Sequence, residues 1–303
     1  MAVIVFYGVS IIFVFMNSAV LTYQVDFPEW AVSIKGLPKK LYVRGILPGG
    51  LDSSGIGIVG SRRISPYGIR VLRELFYFLK DAGITVISGF TAGTDSYAHE
   101  LALGAGCTTV AVMPCGCDIV HPSTNKELYK RIVGGGGAVV SEFEDGFMPQ
   151  KWTYPKRNRI TAALSKVILV VEASLKSGSM ITAGFAKKYN RKIFSVPGDI
   201  YTERSAGTNK LLSGGADIYL SPVQILNEMG VTTTQTARSS AEDIGDGGTI
   251  KESDVLNILK EKNLSFDGLG SKTGISAGSL NEILMKMLLK NLIFEKNGVY
   301  YVL

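Results

Sequence analysis

The sequence predicts an α/β protein in which a doubly wound, mostly parallel sheet is followed by a small winged-helix domain. Short β-rich runs alternate with helical patterns between residues 56 and 220, and the strand runs are apolar without strict alternation. Both features are typical of strands that helices cover on both faces. Three later helical patterns followed by an Asn297-Gly298 hairpin signal predict the winged helix. A chain of 303 residues has room for one large and one small domain.

The predicted elements follow one another in strand and helix order. Three strands are each followed by a helix: "GIGIVG" by "PYGIRVLRELFYFLKDAG", "ITVISG" by "GTDSYAHELALGAG", and "TTVAVMP" by "TNKELYKRIVGGGG". Next come the strand "AVVSEF", the strand "KVILVVEA" with its helix "SMITAGFAKKYN", and the strands "KIFSVPG" and "ADIYL". The first helix carries Ser65 as its N-cap and Pro66 at its first position, where these residue types are favoured. Ligands of such sheets bind beyond the carboxyl ends of the strands, so the loops there are the predicted site.

The C-terminal part is predicted to be a separate unit. Residues 231–249 are small, polar and glycine-containing, which is typical of a linker, so we assign 26–230 to the sheet domain and 250–303 to the winged helix. Its helices are predicted at Ser253 to Lys262, around "DGLGSKTG" and at Ser276 to Lys290. Residues 248–303 contain seven lysines and six acidic residues, so the basic surface expected of a protein that binds duplex DNA is missing. A docking or regulatory role is therefore favoured for this domain.

Residues 1–25 contain no charged side chain and are long enough for a membrane-spanning helix. A secretory signal would carry a basic start and a small-residue cleavage site, and neither is clear. Three interpretations stay open: an N-terminal anchor that contacts a membrane, a buried strand pair or helix packed on the domain, and a misassigned start codon.

Charge and cysteine usage narrow the class of protein. A net charge of +6 favours an anionic partner, although a mild excess is often only a solubility feature. The three cysteines are odd in number, and Cys115 and Cys117 are too close for an ordinary disulfide, which is typical of a reducing compartment. With only two histidines, the chain lacks the paired spacing of a zinc site, so we expect no metal.

The turn after the first strand predicts a phosphate site of an unusual kind. Gly55, Gly57 and Gly60 match the spacing of a dinucleotide fingerprint, but Gly55 and Gly57 lie in or before the strand, whereas the fingerprint needs its first glycine after it. We therefore expect no dinucleotide cofactor. Backbone N–H groups, the Ser61 hydroxyl and the Arg62 guanidinium still converge on a helix N-terminus, which suits a phosphate held at a surface.

Other strand ends repeat this combination of small, polar and basic residues. Singly, each is more often a helix cap or a solvated edge. Several phosphate-sized sites along one rim suit a polyanionic strand, because an extended nucleic-acid backbone carries one charge per nucleotide. The segments are Phe90 to Asp95, "YPKRNRI" with Lys156, Arg157, Asn158 and Arg159, Ser177-Gly178-Ser179, and Gly207-Thr208-Asn209-Lys210.

No catalytic arrangement competes well with this interpretation. Ser88, Asp95 and His99 could form a hydrolase triad, but a G-x-S-x-G elbow is missing, and His99 lies in an apolar helix pattern that favours a core role. Glu142 and Glu172 could form a carboxylate pair, and capping or loop hydrogen bonds explain them equally well. We expect a protein that is not an enzyme.

Seven or eight ordered segments resemble the DNA-processing protein A family, also called Smf. They are "GIVGSR", "ISGFTAGTDSYAHELAL", "CGCDIVHPSTNKEL", "SEF", "YPKRNRITAALS", "VVEASLKSGSMITA", "SVPGDI" and "GTNKLLSGGA". The resemblance covers about residues 27–220 and implies a Rossmann-like core. It also implies a homodimer that binds single-stranded DNA taken up in natural transformation, shields it and helps to load the RecA recombinase. Catalysis is not implied.

The resemblance also implies individual DNA contacts. Gly60, Ser61 and Arg62 match the family's phosphate-gripping turn, Arg157, Asn158 and Arg159 match its second basic segment, and Lys126 is a further candidate. His121 and Gly184 stand where the family usually has tyrosine and arginine, and Lys187 or Lys188 could compensate. Candidate base-stacking aromatics are Tyr67, Phe90, Trp152 and Tyr154. Two alternatives stay open: an enzyme or sensor for a free nucleotide, and a membrane-tethered DNA-handling protein.

Overall fold

The structure is a computed structural model of the chain. It describes residues 2–7, 10–15, 21–26, 36–48, 55–80, 82–231, 252–274, 276–289, 292–296 and 298–302. The chain divides into two compact units, residues 1–234 and 235–303. The predicted linker lies almost wholly outside the described residues.

The first unit contains a nine-stranded sheet that confirms the predicted α/β fold. Its strands are β3 (Tyr23–Asp26), β4 (Lys40–Gly45), β5 (Gly55–Val59), β6 (Thr85–Ser88), β7 (Thr109–Val112), β8 (Ala138–Ser141), β9 (Val167–Val170), β10 (Lys192–Ser195) and β11 (Asp217–Ile218). The strand order is β11-β10-β9-β5-β6-β7-β8-β4-β3. Seven strands run parallel, and β4 and β3 add an antiparallel edge next to β8. The order reverses between β5 and β9, which is the switch point where doubly wound sheets bind ligands.

Helices cover both faces of this sheet. They are α1 (Pro66–Leu79), α2 (Thr94–Gly104), α3 (Lys126–Gly134), α4 (Thr153–Leu164), α5 (Gly178–Lys188), α6 (Glu203–Ser213) and α7 (Pro222–Met229). One buried cluster joins the sheet to α1, α2 and α7, and another joins it to α4 and α5. Neighbouring strand residues such as Ile168 and Leu169 belong to different clusters, which explains why the strands are apolar throughout.

The start of α1 forms as predicted. Ser65 has an extended backbone, and its hydroxyl accepts a hydrogen bond from the Gly68 N–H, with Pro66 at the first helical position. One of the orphan N–H groups of the first turn is thereby satisfied, and the fixed φ of proline suits this position.

The N-terminal segment contains two strands, β1 (Ala2–Tyr7) and β2 (Ser10–Phe15). They form an antiparallel two-stranded sheet in which Ala2 lies opposite Phe15. The three interpretations of residues 1–25 stay predictions, since burial of these strands lies outside what the structure describes. Within the described ranges, we find no helix with the length and apolar character needed to span a bilayer.

The second unit contains the elements expected of it, with boundaries within about a residue of the prediction. These are α8 (Glu252–Glu261), β12 (Leu264–Ser265), α9 (Phe266–Thr273), α10 (Ala277–Leu289), β13 (Ile293–Lys296) and β14 (Val299–Val302). The short β12, which the sequence did not indicate, pairs with β14. Val255, Leu269, Leu284 and Ile293 share one buried core. The assignment of this unit as a winged helix stays a prediction.

Candidate nucleic-acid interface

A cleft of about 640 Å³ lies at the carboxyl ends of β5, β6 and β9. We call it the switch-point cleft, because it lies where the strand order reverses. Eight of the thirteen predicted site residues line it: Gly60, Ser61, Arg62, Arg157, Asn158, Ser177, Gly178 and Ser179. The structure therefore brings together residues from three separate segments of the sequence at the predicted edge of the sheet.

Hydrogen bonds from two neighbouring helices hold the Gly60–Arg62 turn in place. The Ser61 carbonyl accepts from the N–H and the hydroxyl of Thr94, at 3.0 and 3.1 Å. The Gly60 carbonyl accepts from the Ser179 hydroxyl at 2.8 Å. A Cβ atom added to Gly93 would lie 2.4 Å from the Ser61 carbonyl oxygen, so α2 can approach the turn this closely only because residue 93 is glycine. The turn is thus preorganised before any ligand binds.

Arg62 presents its side chain at the mouth of the cleft. The residue is exposed, and its guanidinium carbon lies 5.8 Å from the centre of the Tyr154 ring, within the range of a cation–π contact. The Tyr154 hydroxyl lies 2.8 Å from His121 Nε2. An exposed guanidinium beside an aromatic ring can contact a phosphate and a base at the same time.

One face of α4 forms a wall of the cleft. Tyr154, Arg157, Asn158 and Thr161 all line it, at the i, i+3, i+4 and i+7 spacing that places residues on one helix face. Asn158 links α4 to α5, because its side-chain N–H donates to the Gly178 carbonyl at 3.1 Å. The cluster "PKRNR" therefore belongs to a helix, and only part of it faces the cleft.

Arg157 is a buried cation at the base of the cleft. Only 4% of the residue is exposed, its Nη1 donates to the Val112 carbonyl, and its Nε donates to the Asn158 side chain. Burial raises the pKa of the nearby Asp95 carboxyl, and the positive charge of Arg157 opposes that increase. Burial also lowers the pKa of Arg157. Arg157 was predicted as a direct phosphate contact, and that stays a prediction; its Nε and one Nη1 donor bond within the protein.

Arg159 and Lys156 point away from the cleft face of α4. The Arg159 guanidinium forms a nearly buried ion pair with Glu142 and donates to the Gly36 carbonyl. Lys156 is exposed, and its Nζ lies 4.9 Å from the centre of the Trp152 ring. The prediction grouped both with the phosphate contacts because they adjoin Arg157 in sequence, whereas the helical phase separates them.

The remaining predicted contacts lie outside the cleft lining. Lys126 is the exposed first residue of α3. Asn209 and Lys210 were predicted to lie in a loop, but both belong to α6. The Asn209 side chain bonds to both the N–H and the carbonyl of Gly198, at 3.2 and 2.9 Å. Asn209 therefore anchors the loop after β10, and only Lys210 is exposed to solvent.

The structure adds cleft residues that the sequence analysis missed. Arg63, Lys176 and Arg204 are exposed and line the cleft. Together with Arg62 and Arg157 they give it five cations against two carboxylates, Asp95 and Glu203. Each of these three residues follows the end of a strand or lies at the start of a helix. Their position relative to the predicted strands was therefore a sequence signal that could have identified them. The excess of positive charge favours an anionic ligand.

Two buried hydroxyls of the cleft have no hydrogen-bond partner among the described residues. They are Thr161 Oγ1 and Ser177 Oγ. Buried polar atoms are nearly always satisfied in proteins, by water if by nothing else. Their position in the lining provides hydrogen-bonding capacity for a ligand or for ordered water.

The alternative catalytic groups have structural partners. The two ring nitrogens of His99 lie 2.6 Å from Thr109 Oγ1 and from the Gly89 carbonyl, and burial lowers the pKa of His99 to about 4. The Ser88 hydroxyl donates to the Ile58 carbonyl at 2.6 Å. The predicted core role of His99 is confirmed, since the residue is fully buried. Because neither ring nitrogen contacts Ser88, the triad does not form.

Glu142 and Glu172 also have separate roles. Glu142 pairs with Arg159, whereas Glu172 accepts from the N–H and the hydroxyl of Ser65. Loop hydrogen bonding thus accounts for Glu172, as the sequence analysis allowed. Of the aromatic candidates, Phe90 is buried in the core, Tyr154 lines the cleft, and half of Trp152 is exposed.

Fold and cleft together define a doubly wound α/β protein with a cationic binding cleft at its switch point. Residues 18–230 match the family model of DNA recombination-mediator protein A. The chain belongs to this family, and so to the proteins that process DNA in recombination.

Relatives and solved structures agree with this assignment. Protein Smf of Escherichia coli is 37% identical over 67% of this chain and 54% of its own length, so the chain spans about half of that relative. DNA processing protein DprA of Streptococcus pneumoniae is 34% identical over 67% of this chain and 71% of its own. The solved structure of the S. pneumoniae protein has a TM-score of 0.64 at 32% identity, and covers 70% of this chain and 75% of its own.

This chain is also similar to a solved structure of DNA processing protein A from Helicobacter pylori. That structure was solved to describe the single-stranded DNA binding mode of the H. pylori protein. Its TM-score is 0.62 at 33% identity, and the match covers 70% of this chain and 97% of the other.

Proposed function

We propose that this protein binds single-stranded DNA through the switch-point cleft, and that it does so without catalysing a reaction. The observation that carries the proposal is the convergence of exposed Arg62, Arg63, Lys176 and Arg204 at one preorganised switch point. Several cations on separate loops suit a ligand with successive phosphates better than a single nucleotide. The likeness to the H. pylori protein supports the choice of a single strand.

The cleft is also suited to unpaired bases. Tyr154 lines it beside Arg62, and aromatic rings next to cations bind unstacked bases with little sequence preference. In a duplex the bases are stacked within the helix and unavailable to such a ring. We therefore expect the protein to prefer single strands.

We further propose that the bound strand is protected and passed to the RecA recombinase during transformation or another recombination process, and that the protein acts as a homodimer in the cytoplasm. Family membership supports the recombination role. The three cysteines are buried, and an odd number of cysteines is consistent with a reducing compartment. RecA loading is tested by the rate of RecA filament formation on DNA coated with single-strand-binding protein, and the dimer by sedimentation equilibrium of the full chain.

The DNA-binding proposal is tested by fluorescence anisotropy with labelled single-stranded and duplex oligonucleotides. The chain offers a matched pair of variants, because Lys166 and Lys176 are both exposed and flank β9 at its two ends. Only Lys176 lines the cleft. Lys176→Ala should weaken single-strand binding, and Lys166→Ala should leave it unchanged.

Two results would contradict the proposal. Equal losses in the two lysine variants would mean that only net charge matters. Binding of a mononucleotide without binding of either DNA would instead favour the alternative of a nucleotide enzyme or sensor.

A further inference from the structure

A second cavity, of about 740 Å³, adjoins the switch-point cleft. Glu203 and Arg204 line both cavities, so the start of α6 forms the ridge between them. The other walls come from the start of α1, the end of β9 and the loop after β10; they include Ser65, Tyr67, Glu172, Pro197 and Asp199. We call it the Tyr67 pocket. Its volume lies within the range of about 300–1,000 Å³ that is usual for small-molecule sites.

The charge of the Tyr67 pocket differs from that of the cleft. The pocket is lined by one guanidinium, that of Arg204, and by three carboxylates, those of Glu172, Asp199 and Glu203. A phosphate would be repelled by this arrangement. The pocket instead suits an uncharged group that can donate hydrogen bonds to its oxygen atoms, while Val171, Val196 and Pro197 supply apolar wall.

Tyr67 gives the pocket a fixed aromatic wall. Its hydroxyl donates to the Pro197 carbonyl at 2.9 Å, which connects the start of α1 to the loop after β10. Burial raises the pKa of Tyr67, so the hydroxyl keeps the proton that it donates. The residue is still 40% exposed. A ring that is held in place and yet accessible is suited to stacking, because little side-chain entropy remains to be lost.

Hydrogen bonds also hold the walls around Tyr67. Glu172 accepts from Ser65, the N-cap of α1, and Asn209 of α6 bonds to the N–H and carbonyl of Gly198. Two helices and two strand ends therefore shape the pocket before a ligand arrives. Asn209, which the sequence suggested as a DNA contact, acts here as a positioning residue.

We propose that the Tyr67 pocket binds one unstacked base of the strand whose backbone lies in the switch-point cleft. The inference rests on the proposed function and extends it from the switch-point cleft to a second pocket that binds a base. Nucleobases are uncharged, have a flat face for stacking, and carry ring or exocyclic N–H donors that match carboxylate and carbonyl acceptors. A strand crossing the ridge at Glu203 and Arg204 would place a phosphate on one side and its neighbouring base on the other.

The experiment measures anisotropy of a labelled single-stranded oligonucleotide with Tyr67→Ala and with Tyr77→Ala as the control. Tyr77 lies on the same helix, is 72% exposed and lines neither cavity. Tyr67→Ala should lower the affinity at least about fivefold, the lower end of the effect of removing one stacking aromatic, and Tyr77→Ala should not. Because no phosphate contact is lost, the slope of log affinity against log salt should stay the same.

Two further measurements test whether a loss of affinity in Tyr67→Ala comes from a folding defect or from a lost phosphate contact. Tyr67→Trp keeps an aromatic face and should restore most of the affinity. An oligonucleotide made of abasic sugar phosphates should bind the wild type and Tyr67→Ala equally, because it has no base to stack.

The results separate this inference from the proposed function. If Tyr67→Ala binds like the wild type while Lys176→Ala is weakened, the base pocket is wrong and the DNA-binding function stands. A loss of affinity in Tyr67→Ala that is as large with the abasic strand as with the normal strand would also overturn the base pocket. If the wild type binds no oligonucleotide, the proposed function itself fails.

Discussion

Gly93→Ala is expected to damage both the fold and the phosphate-gripping turn. Gly93 has a φ of +85°, and an added Cβ atom would lie 2.4 Å from both the Ser61 carbonyl oxygen and the Arg62 carbonyl carbon. With a ψ of −128° this conformation is one that alanine rarely adopts, and it costs an alanine roughly 1–3 kcal/mol, while overpacking typically adds about 1–3 kcal/mol. The total is a loss of about 2–6 kcal/mol in the free energy of unfolding.

Gly83→Ala is the matched control for this variant. Gly83 also has a positive φ, of +66°, but an added Cβ atom would have no neighbour within 4 Å. It should therefore show the conformational cost alone, about 1–2 kcal/mol. Urea unfolding gives the two free energies, and anisotropy with single-stranded DNA gives the two affinities.

The close approach of α2 to the turn is what distinguishes the two variants. We expect Gly93→Ala to be the less stable variant and, where folded, the weaker DNA binder, because the Ser61 and Arg62 backbone must shift to admit the methyl group. Equal stabilities and equal affinities for the two variants would refute the claim that this close approach shapes the turn.

Three further predictions concern buried groups. Arg157→Met should lower the free energy of unfolding by about 1–3 kcal/mol or more, because it leaves the Val112 carbonyl without its donor and removes the positive charge that favours the ionised Asp95 carboxylate; adding Asp95→Asn should recover part of the loss, and simple additivity in urea unfolding would argue against the charge interaction. Burial lowers the pKa of His99 to about 4 from an unfolded value near 6.5, so the unfolded chain takes up the proton first. Stability should therefore fall as the pH drops from 6.5 towards 4, by up to about 1.4 kcal/mol per pH unit. His99→Asn should lose this slope between pH 6.5 and 5, and a slope that persists in the variant would assign it to other groups. Burial raises the pKa of Cys115 to about 12, and all three thiols are buried, so a disulfide reagent should label them only after unfolding; rapid labelling of the native protein would contradict their burial.

The sequence predicted the sheet domain well, because its signals were local and repeated. Apolar runs that end in glycine, followed by a capped helix such as the one that begins at Pro66, identify the strand ends, and topology then brings those ends together. For that reason the Gly60–Arg62 and Ser177–Ser179 segments were predicted at one edge and are found there.

The phase of α4 was harder to predict. The run from Lys156 to Arg159 looked like a uniform basic cluster, yet Arg157 and Asn158 line the cleft while Lys156 and Arg159 do not. Helical periodicity could have separated them. The burial of a cation such as Arg157, however, depends on Asp95 and Val112, which are distant in sequence.

Two errors in α6 and α7 have local causes. Gly207 and Thr208 are poor helix formers, so the segment was interpreted as a loop. The glycine is required there because an added Cβ atom would lie 2.6 Å from the Ala173 carbonyl oxygen. The helix α7 was overlooked although Ser221 and Gln224 have the capping-box pattern and Pro222 opens the helix, which is a recognisable signal.

The most direct test of the account is the salt dependence of single-stranded DNA affinity in the wild type and in Arg62→Ala, with Lys166→Ala as the control. Each lost phosphate contact should make the slope of log affinity against log salt shallower by about 0.7 for single strands. We predict weaker binding and a shallower slope for Arg62→Ala, and an unaltered slope for Lys166→Ala. The same slope and the same affinity in all three proteins would contradict the claim that the switch-point cleft holds the DNA backbone.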